Sequence, residues 1–296
     1  MTTSQLSVGC FGKLPHFGDF VKHNAGNREM QAFDQWLQQG ILAGKAQVRE
    51  GWNSAYNRAP AYHFLFHSEG AERLLVGIFQ PSQDKSERKY PFFVSVLLGR
   101  AHLEKDWLSL IPVIFTPFFT QTRQFIQDAR KGTTMPEIVS HTENLRLAFG
   151  GALEHEADRH RDYLAATTSE SFWQQLFGNF NDPRKYLLFK NLNEILQPFR
   201  QGDPSHLTLG LRFPLGTNEK ATGHDAAFWQ QVCMRLLRYP GIVPVAFWTV
   251  PEVGKNAHLF LFFRPPAAKN FVQLVQPDLP SDIVCELEEE GKDKID

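Results

Sequence analysis

Residues 62–79, YHFLFHSEGAERLLVGIF, hold two apolar runs, at 62–68 and 73–79, separated by a Glu-Gly step at 69–70. Each run is short, rich in aromatic and branched side chains, and bounded by polar turn formers, which is the pattern of a strand rather than a helix. A third run, YPFFVSVLL at 90–98, follows the connection PSQDKSERK at 81–89. Together they predict an antiparallel meander whose polar connection lies on the surface as a loop. Pro91 fits that reading, because the opening position of a strand need not donate to the ladder.

Upstream, residues 5–12 contain LSVGCFG and read as another strand. Asn27 is placed to cap a helix that carries Met30, Phe33, Leu37 and Ile41 on one face. Trp36 and Phe33 on that helix read as core, although tryptophan also anchors interfaces. Downstream, Pro112 and Pro117 divide the apolar stretch 103–130 into two short helices or one kinked helix. Helices are expected at 141–162 and 169–178. The second half alternates again, with a strand at 207–213, a helix at 224–239 ended by Pro240-Gly241, and strands at 242–250 and 257–263. Strands mixed with long helices indicate an α/β layer architecture. The tetrapeptide FWQQ occurs at 172–175 and 228–231, but the flanks differ, so it reads as chance similarity of two amphipathic helices rather than a duplication.

The formal net charge is −1. Residues 278–296 hold eight acids against Lys292 and Lys294, a balance of −6, which leaves +5 on the rest of the chain. That spread, without a Lys/Arg block, is not a nucleic-acid footprint. The 26 phenylalanines argue for a folded core, since a disordered chain is poor in large apolar residues. Cys10, Cys233 and Cys285 have no CxxC spacing, so neither a zinc site nor a disulfide framework is expected, and reduced thiols are the simplest account. No signal-peptide pattern opens the chain, and its longest apolar stretch, 111–119, is too short to span a bilayer. The expectation is a cytoplasmic protein with no membrane insertion. Residues 1–130 read as one region, 131–280 as a second half packed into the same α/β unit with a seam at 130–140, and 281–296 as a disordered acidic tail.

The stretch GCFGKLPHFGDF at 9–20 concentrates glycines, Lys13 and Asp19. It is not a P-loop, which needs four residues before Gly-Lys and a hydroxyl residue after it, whereas Leu14 follows Lys13 here. Nor does it contain GxGxxG. Lys13 and Asp19, with His16, His23 and Arg88, form a possible catalytic or ligand-binding cleft; the plainer reading has Asp19 bonding turn amides and Lys13 in solvent. Pro15 and the glycines Gly12 and Gly18 suit a rigid, shaped corner. His155 and His160 are five apart, which on a helix points them to different faces, so a metal site is not expected and an exposed charged face is. No cofactor motif is found.

Three separated segments, FGKLPHFGDF (11–20), FDQWLQQGI (33–41) and RKYPFFV (88–94), resemble in order and spacing the N-terminal region of the type VI secretion-associated TagF family. The residues that carry the resemblance are Gly12, Lys13, Leu14, Pro15, Gly18, Asp19, Phe20, Asp34, Trp36, Leu37, Arg88, Tyr90 and Pro91. The chain departs from the pattern in Tyr90, where the family often has Phe, and in Lys89 between Arg88 and Tyr90. The resemblance implies a three-layer α/β/α sandwich with a mixed, largely antiparallel central sheet, and no catalytic activity or cofactor. It also implies a cytoplasmic, post-translational repressor of type VI secretion that acts through the forkhead-associated (Fha) scaffold protein. Some relatives carry a PppA-like phosphatase domain; no phosphatase aspartate pattern is present here, so that activity is expected on a separate chain. The alternatives are a small-ligand-binding or hydrolytic enzyme using a Lys13/Asp19 cleft, and a structural subunit of the secretion apparatus.

Overall fold

Apolar runs that alternate their large side chains across a pleat need helices on both faces, and this chain supplies them. A computed structural model describes residues 6–100, 105–145, 151–200, 202–239, 242–252 and 257–290. In chain order, the elements begin with β1 (Val8–Gly12), β2 (Val21–His23), α1 (Arg28–Val48), α2 (Trp52–Arg58), β3 (Tyr62–Phe66), β4 (Arg73–Gln80) and β5 (Phe92–Gly99). They continue with α3 (Ile111–Ile114), α4 (Thr116–Lys131), α5 (Met135–Asn144), α6 (Gly151–Ala166), α7 (Ser169–Phe177) and α8 (Arg184–Leu196). The last are β6 (Gly210–Pro214), α9 (Thr222–Leu237), β7 (Val245–Trp248), β8 (His258–Phe262), α10 (Asn270–Val275) and β9 (Val284–Glu286).

The chain divides into two compact units that interleave in sequence. The first lies within Met1–His102, Phe115–Phe149 and Pro265–Pro280, the second within Leu103–Ile114, Gly150–Arg264 and Ser281–Asp296. This differs from the expected seam at 130–140. That stretch instead ends α4 and starts α5, where Glu137 accepts from the Thr134 amide at 2.8 Å in a capping box.

In the first unit the strands run β2-β1-β5-β4-β3, all pairs antiparallel, so the predicted meander is present. Alternation along the strands assigns each layer. On one face α1 places Phe33 against Phe64 (ring centroids 4.5 Å), Phe66 (4.9 Å) and Phe93 (5.1 Å), and α10 brings Phe271 to Phe79 (6.3 Å). On the other, α4 stacks Phe119 on His63 (4.4 Å) and sets Phe125 against Phe92 (6.4 Å), while α5 brings the Thr142 hydroxyl to Cys10 Sγ at 3.7 Å. This is a three-layer α/β/α arrangement. Phe33 is fully buried, which is worth about 1.5–3 kcal/mol in apolar transfer.

Helix α1 starts where the sequence indicates. The Asn27 side chain accepts from the Met30 amide at 2.8 Å, a cap of about 1 kcal/mol. Glu29, in the first turn, receives two parallel bonds of 2.9 Å from Arg73 and ties the helix start to β4.

The second unit has the strand order β7-β8-β6-β9, antiparallel except for the parallel β6 and β9 pair. The strand pairing is therefore largely antiparallel, as expected, and made mixed by the single parallel pair of β6 and β9. Trp229 of α9 stacks on Phe213 of β6 at 5.1 Å, and Phe172, Trp173 and Phe189 gather around it. The two FWQQ tetrapeptides meet here, with Phe172 and Phe228 rings 5.0 Å apart.

Among the described residues of 103–130, Pro112 lies inside α3 and Pro117 opens α4, the first of the two expected forms. Two other expectations change. The helix expected over 141–162 is split between α5 and α6. The acidic segment is not wholly a tail, because Val284–Glu286 forms β9 and Arg212 pairs with Glu286 at 2.6 Å. Residues 291–296 lie outside the described residues.

Candidate interaction site

The three motif segments converge in the first unit, at the end of β1. Gly12 closes that strand with φ of 135°, and a β-carbon there would stand 2.0 Å from the Pro91 carbonyl oxygen. Only glycine allows β1 to run so close to the backbone entering β5. The chain then turns, with Phe17 N donating to Leu14 O at 3.0 Å, and Leu14 is fully buried beneath the turn.

Lys13 is buried rather than solvated. Its ammonium donates to Asp84 Oδ2 at 2.7 Å, and the Asp84 side chain is closed to solvent. This corrects both readings of Lys13: it neither projects into water nor pairs with Asp19. Asp84 also accepts from Arg88 Nε at 2.6 Å and from the Ser86 and Arg88 amides at 2.9 and 3.0 Å. Arg88 Nη2 in turn donates to the Gly18 carbonyl at 2.7 Å, and Lys85 N donates to Phe17 O at 2.8 Å. The loop 81–89, expected to lie wholly on the surface, is thus pinned to the 12–20 corner through a buried carboxylate.

Burial alone would raise the Asp84 carboxyl. The Lys13 and Arg88 charges and the two amides outweigh it and hold the group well below the usual carboxylate range. Asp84 is a permanently ionised brace with its acceptor sites filled, a poor arrangement for a general base. Asp19 is exposed and, among the described residues, accepts from the Phe20 amide alone, at 2.7 Å. His16 turns to α4, with Nε2 3.2 Å from the Arg130 carbonyl, and His23 Nε2 lies 3.3 Å from Glu143. Lys13 and Arg88 therefore converge on Asp84, while Asp19, His16 and His23 do not join them.

Above this brace sits an aromatic step. Phe20 stacks on Phe11 (5.1 Å) and meets Tyr90 edge-on (5.0 Å), with the Lys13 ammonium 5.0 Å from its ring centre. It is 38% exposed, a supported ring facing solvent. The Tyr90 hydroxyl donates to Asp34 on α1, and burial, then Asp34, pushes its phenol far above the usual range. Gln38 Nε2 donates to the other Asp34 oxygen at 3.0 Å. Trp36 is core, as expected: its indole N–H donates to Ala267 O at 3.2 Å and its ring lies 5.6 Å from Phe271. Leu37 is fully buried, and Pro15 is half-buried in the turn.

The histidines do not form the expected exposed face. His155 is exposed, but His160 is buried, with its Nδ1 3.1 Å from His224 Nδ1 and the rings parallel within 2°. Burial, then the His160 and Arg159 charges, lowers His224 to about 4. Beside this pair, Asp225 accepts from Tyr163, Gln175 and the Gly216 amide, and burial raises it to about 6. Among the described residues no group of three or more His, Cys, Asp or Glu is placed to hold a metal ion. Cys10, Cys233 and Cys285 are all buried. Burial pushes Cys10 up to about 11. Among the described residues no helix is long and apolar enough to cross a membrane.

Comparison with curated proteins gives no match. Among solved structures the chain is similar to the crystal structure of PA0076 from Pseudomonas aeruginosa PAO1, at 17% identity and a TM-score of 0.55, over 93% of this chain and 96% of that one. At that identity the likeness is one of fold. Residues 9–145, which contain all of β1 but Val8, the corner, α1, the loop 81–89 and α5, match the family described as TagF N-terminal domain, Type VI secretion system-associated. The converging corner, the brace and α1 thus all lie within the stretch, a little under half of the chain, that is similar to the TagF N-terminal domain, a type VI secretion system-associated family.

Proposed function

We propose that the protein is a non-enzymatic, post-translational repressor of type VI secretion that works in the cytoplasm by binding the Fha scaffold protein. The observation that carries this reading is the exposed Phe20 ring, held over a buried ion pair by residues from all three motif segments. Elaborate support under an exposed aromatic suits a docking anchor, because a preorganised side chain loses little entropy on binding. The charged groups beneath it are engaged with one another, which favours recognition over acid-base chemistry.

A stable interface buries about 1,200–2,000 Å² in total, more than this corner offers. The exposed stripe of α1 supplies further area. Gln31, Gln35, Gln38 and Leu42 face solvent without a charge among them, and Asp34, which bonds both Gln38 and Tyr90, joins the stripe to the corner. Depletion of charge is characteristic of interface centres. A PppA-like phosphatase pathway would act on the same partner from a separate chain.

The test is co-purification with the Fha protein together with a secretion assay, for wild type, Phe20→Ala and Asp19→Ala. The reading expects loss of capture and derepressed secretion for Phe20→Ala, with a smaller effect for Asp19→Ala. Unchanged capture and repression in both variants would remove the corner as the contact surface.

A further inference from the structure

The charges around Phe20 say what kind of segment docks there. Lys22 stands opposite Phe11 in the β1 and β2 pairing, and cross-strand partners share a face, so Lys22 lies on the side of the sheet that carries the aromatic step. Lys85 and Arg88 come to the same corner through their bonds to Phe17 and Gly18. All three cations are exposed. Arg88 is held by Nε and Nη2, its side chain is 60% exposed, and among the described residues Nη1 has no acceptor. The opposing acids are the exposed Asp19 and Glu87 and the half-buried Asp34, the half-buried Lys89 adds a fourth cation, and the buried Lys13 and Asp84 cancel, which leaves one positive charge in excess. The corner is an apolar ring bordered by a cationic excess, with one guanidinium edge presented to solvent in a fixed orientation.

We propose that this corner recognises an acidic protein segment, in which a carboxylate meets the free edge of Arg88 beside Lys85 and Lys22 while an adjacent apolar side chain packs on Phe20. A guanidinium oriented in advance loses less freedom when it takes a carboxylate than a flexible lysine does. The two lysines act at longer range by steering the encounter, so binding is sensitive to ionic strength. This inference rests on the corner being the docking surface.

The experiment measures binding of purified Fha scaffold protein to the full chain at low and high salt, for wild type, Phe20→Ala and the double variant Lys22→Glu/Lys85→Glu. Both lysines are exposed, so the reversal leaves the brace intact. The expected result is a wild-type affinity that falls with salt, and a loss on the order of tenfold in the double variant at low salt that narrows at high salt. If Phe20→Ala weakens binding while the charge reversal changes neither affinity nor its salt dependence, the docking surface stands and the acidic segment is wrong. If wild type fails to bind, or if neither variant has an effect, both readings are overturned.

Discussion

The ammonium of Lys13 and the carboxylate of Asp84, 71 residues apart in sequence, meet at 2.7 Å in a site closed to solvent. Removing Asp84 leaves Lys13 as an uncompensated buried charge, which typically costs about 3–5 kcal/mol, whereas removing Lys13 leaves Asp84 still bonded to Arg88 and two amides. Asp84→Ala should destabilise the first unit by that order in urea unfolding, and Lys13→Met by less. The double variant should cost clearly less than the sum, because it leaves no buried charge behind.

The same brace gives a signed pH dependence. The folded Asp84 carboxyl lies below its unfolded value, so its stabilisation is complete above the ordinary carboxylate pKa of about 4 and is lost as pH falls toward the folded value. The stability gap between wild type and Asp84→Ala should be constant from neutral pH to about 4 and shrink below it. Equilibrium unfolding at a series of pH values checks this, and a gap that closes near neutrality would contradict it.

Asp225 has the opposite sign. Its folded pKa is raised to about 6, so the folded state holds a proton that the unfolded chain releases near 4, and this group's contribution falls as pH rises between those values. Carboxyl carbon NMR should show one aspartate titrating near 6. The His224 ring protons should titrate near 4. An Asp225 that titrates with the surface carboxylates would contradict the burial argument.

Two glycines of the corner should behave differently. Gly12→Ala forces a β-carbon into the Pro91 carbonyl at a φ of 135° and should cost more than about 2 kcal/mol. Gly18→Ala meets no atom within 4 Å and should change stability by less than about 0.5 kcal/mol. Thermal unfolding of the two variants separates them.

Tyr90→Phe removes the hydroxyl that reaches Asp34 and keeps the ring beside Phe20. A loss of about 1 kcal/mol is expected, with Fha binding retained, since Asp34 is only partly buried and can be hydrated. Loss of binding at unchanged stability would give Tyr90 a direct contact that the corner account does not assign to it.

The strands of the first unit were legible because their apolar runs are bounded by turn residues, and α1 because Asn27 sits one turn before Met30. The three-residue strands β2 and β9 carry too few side chains to set a period, and β9 lies in a segment whose acids suggest solvent. Asp84 was missed for a different reason. In PSQDKSERK its neighbours are polar, and its burial is decided by Lys13, which approaches only after the sheet has formed. A local signal did exist: an aspartate two residues before Ser86 and four before Arg88 is placed to accept their amides in a turn. His160 likewise looked exposed because charged neighbours surround it on α6, while the face it shares with His224 and Tyr163 is set by α9.

The central claim is that the 12–20 corner and the loop 81–89 together form the surface that meets a secretion component. Hydrogen–deuterium exchange of the full chain with and without the Fha protein tests it directly. The account predicts joint protection of peptides covering 14–22 and 83–91, extending to the exposed side of α1. Protection confined to other segments, with these two unchanged, would contradict it.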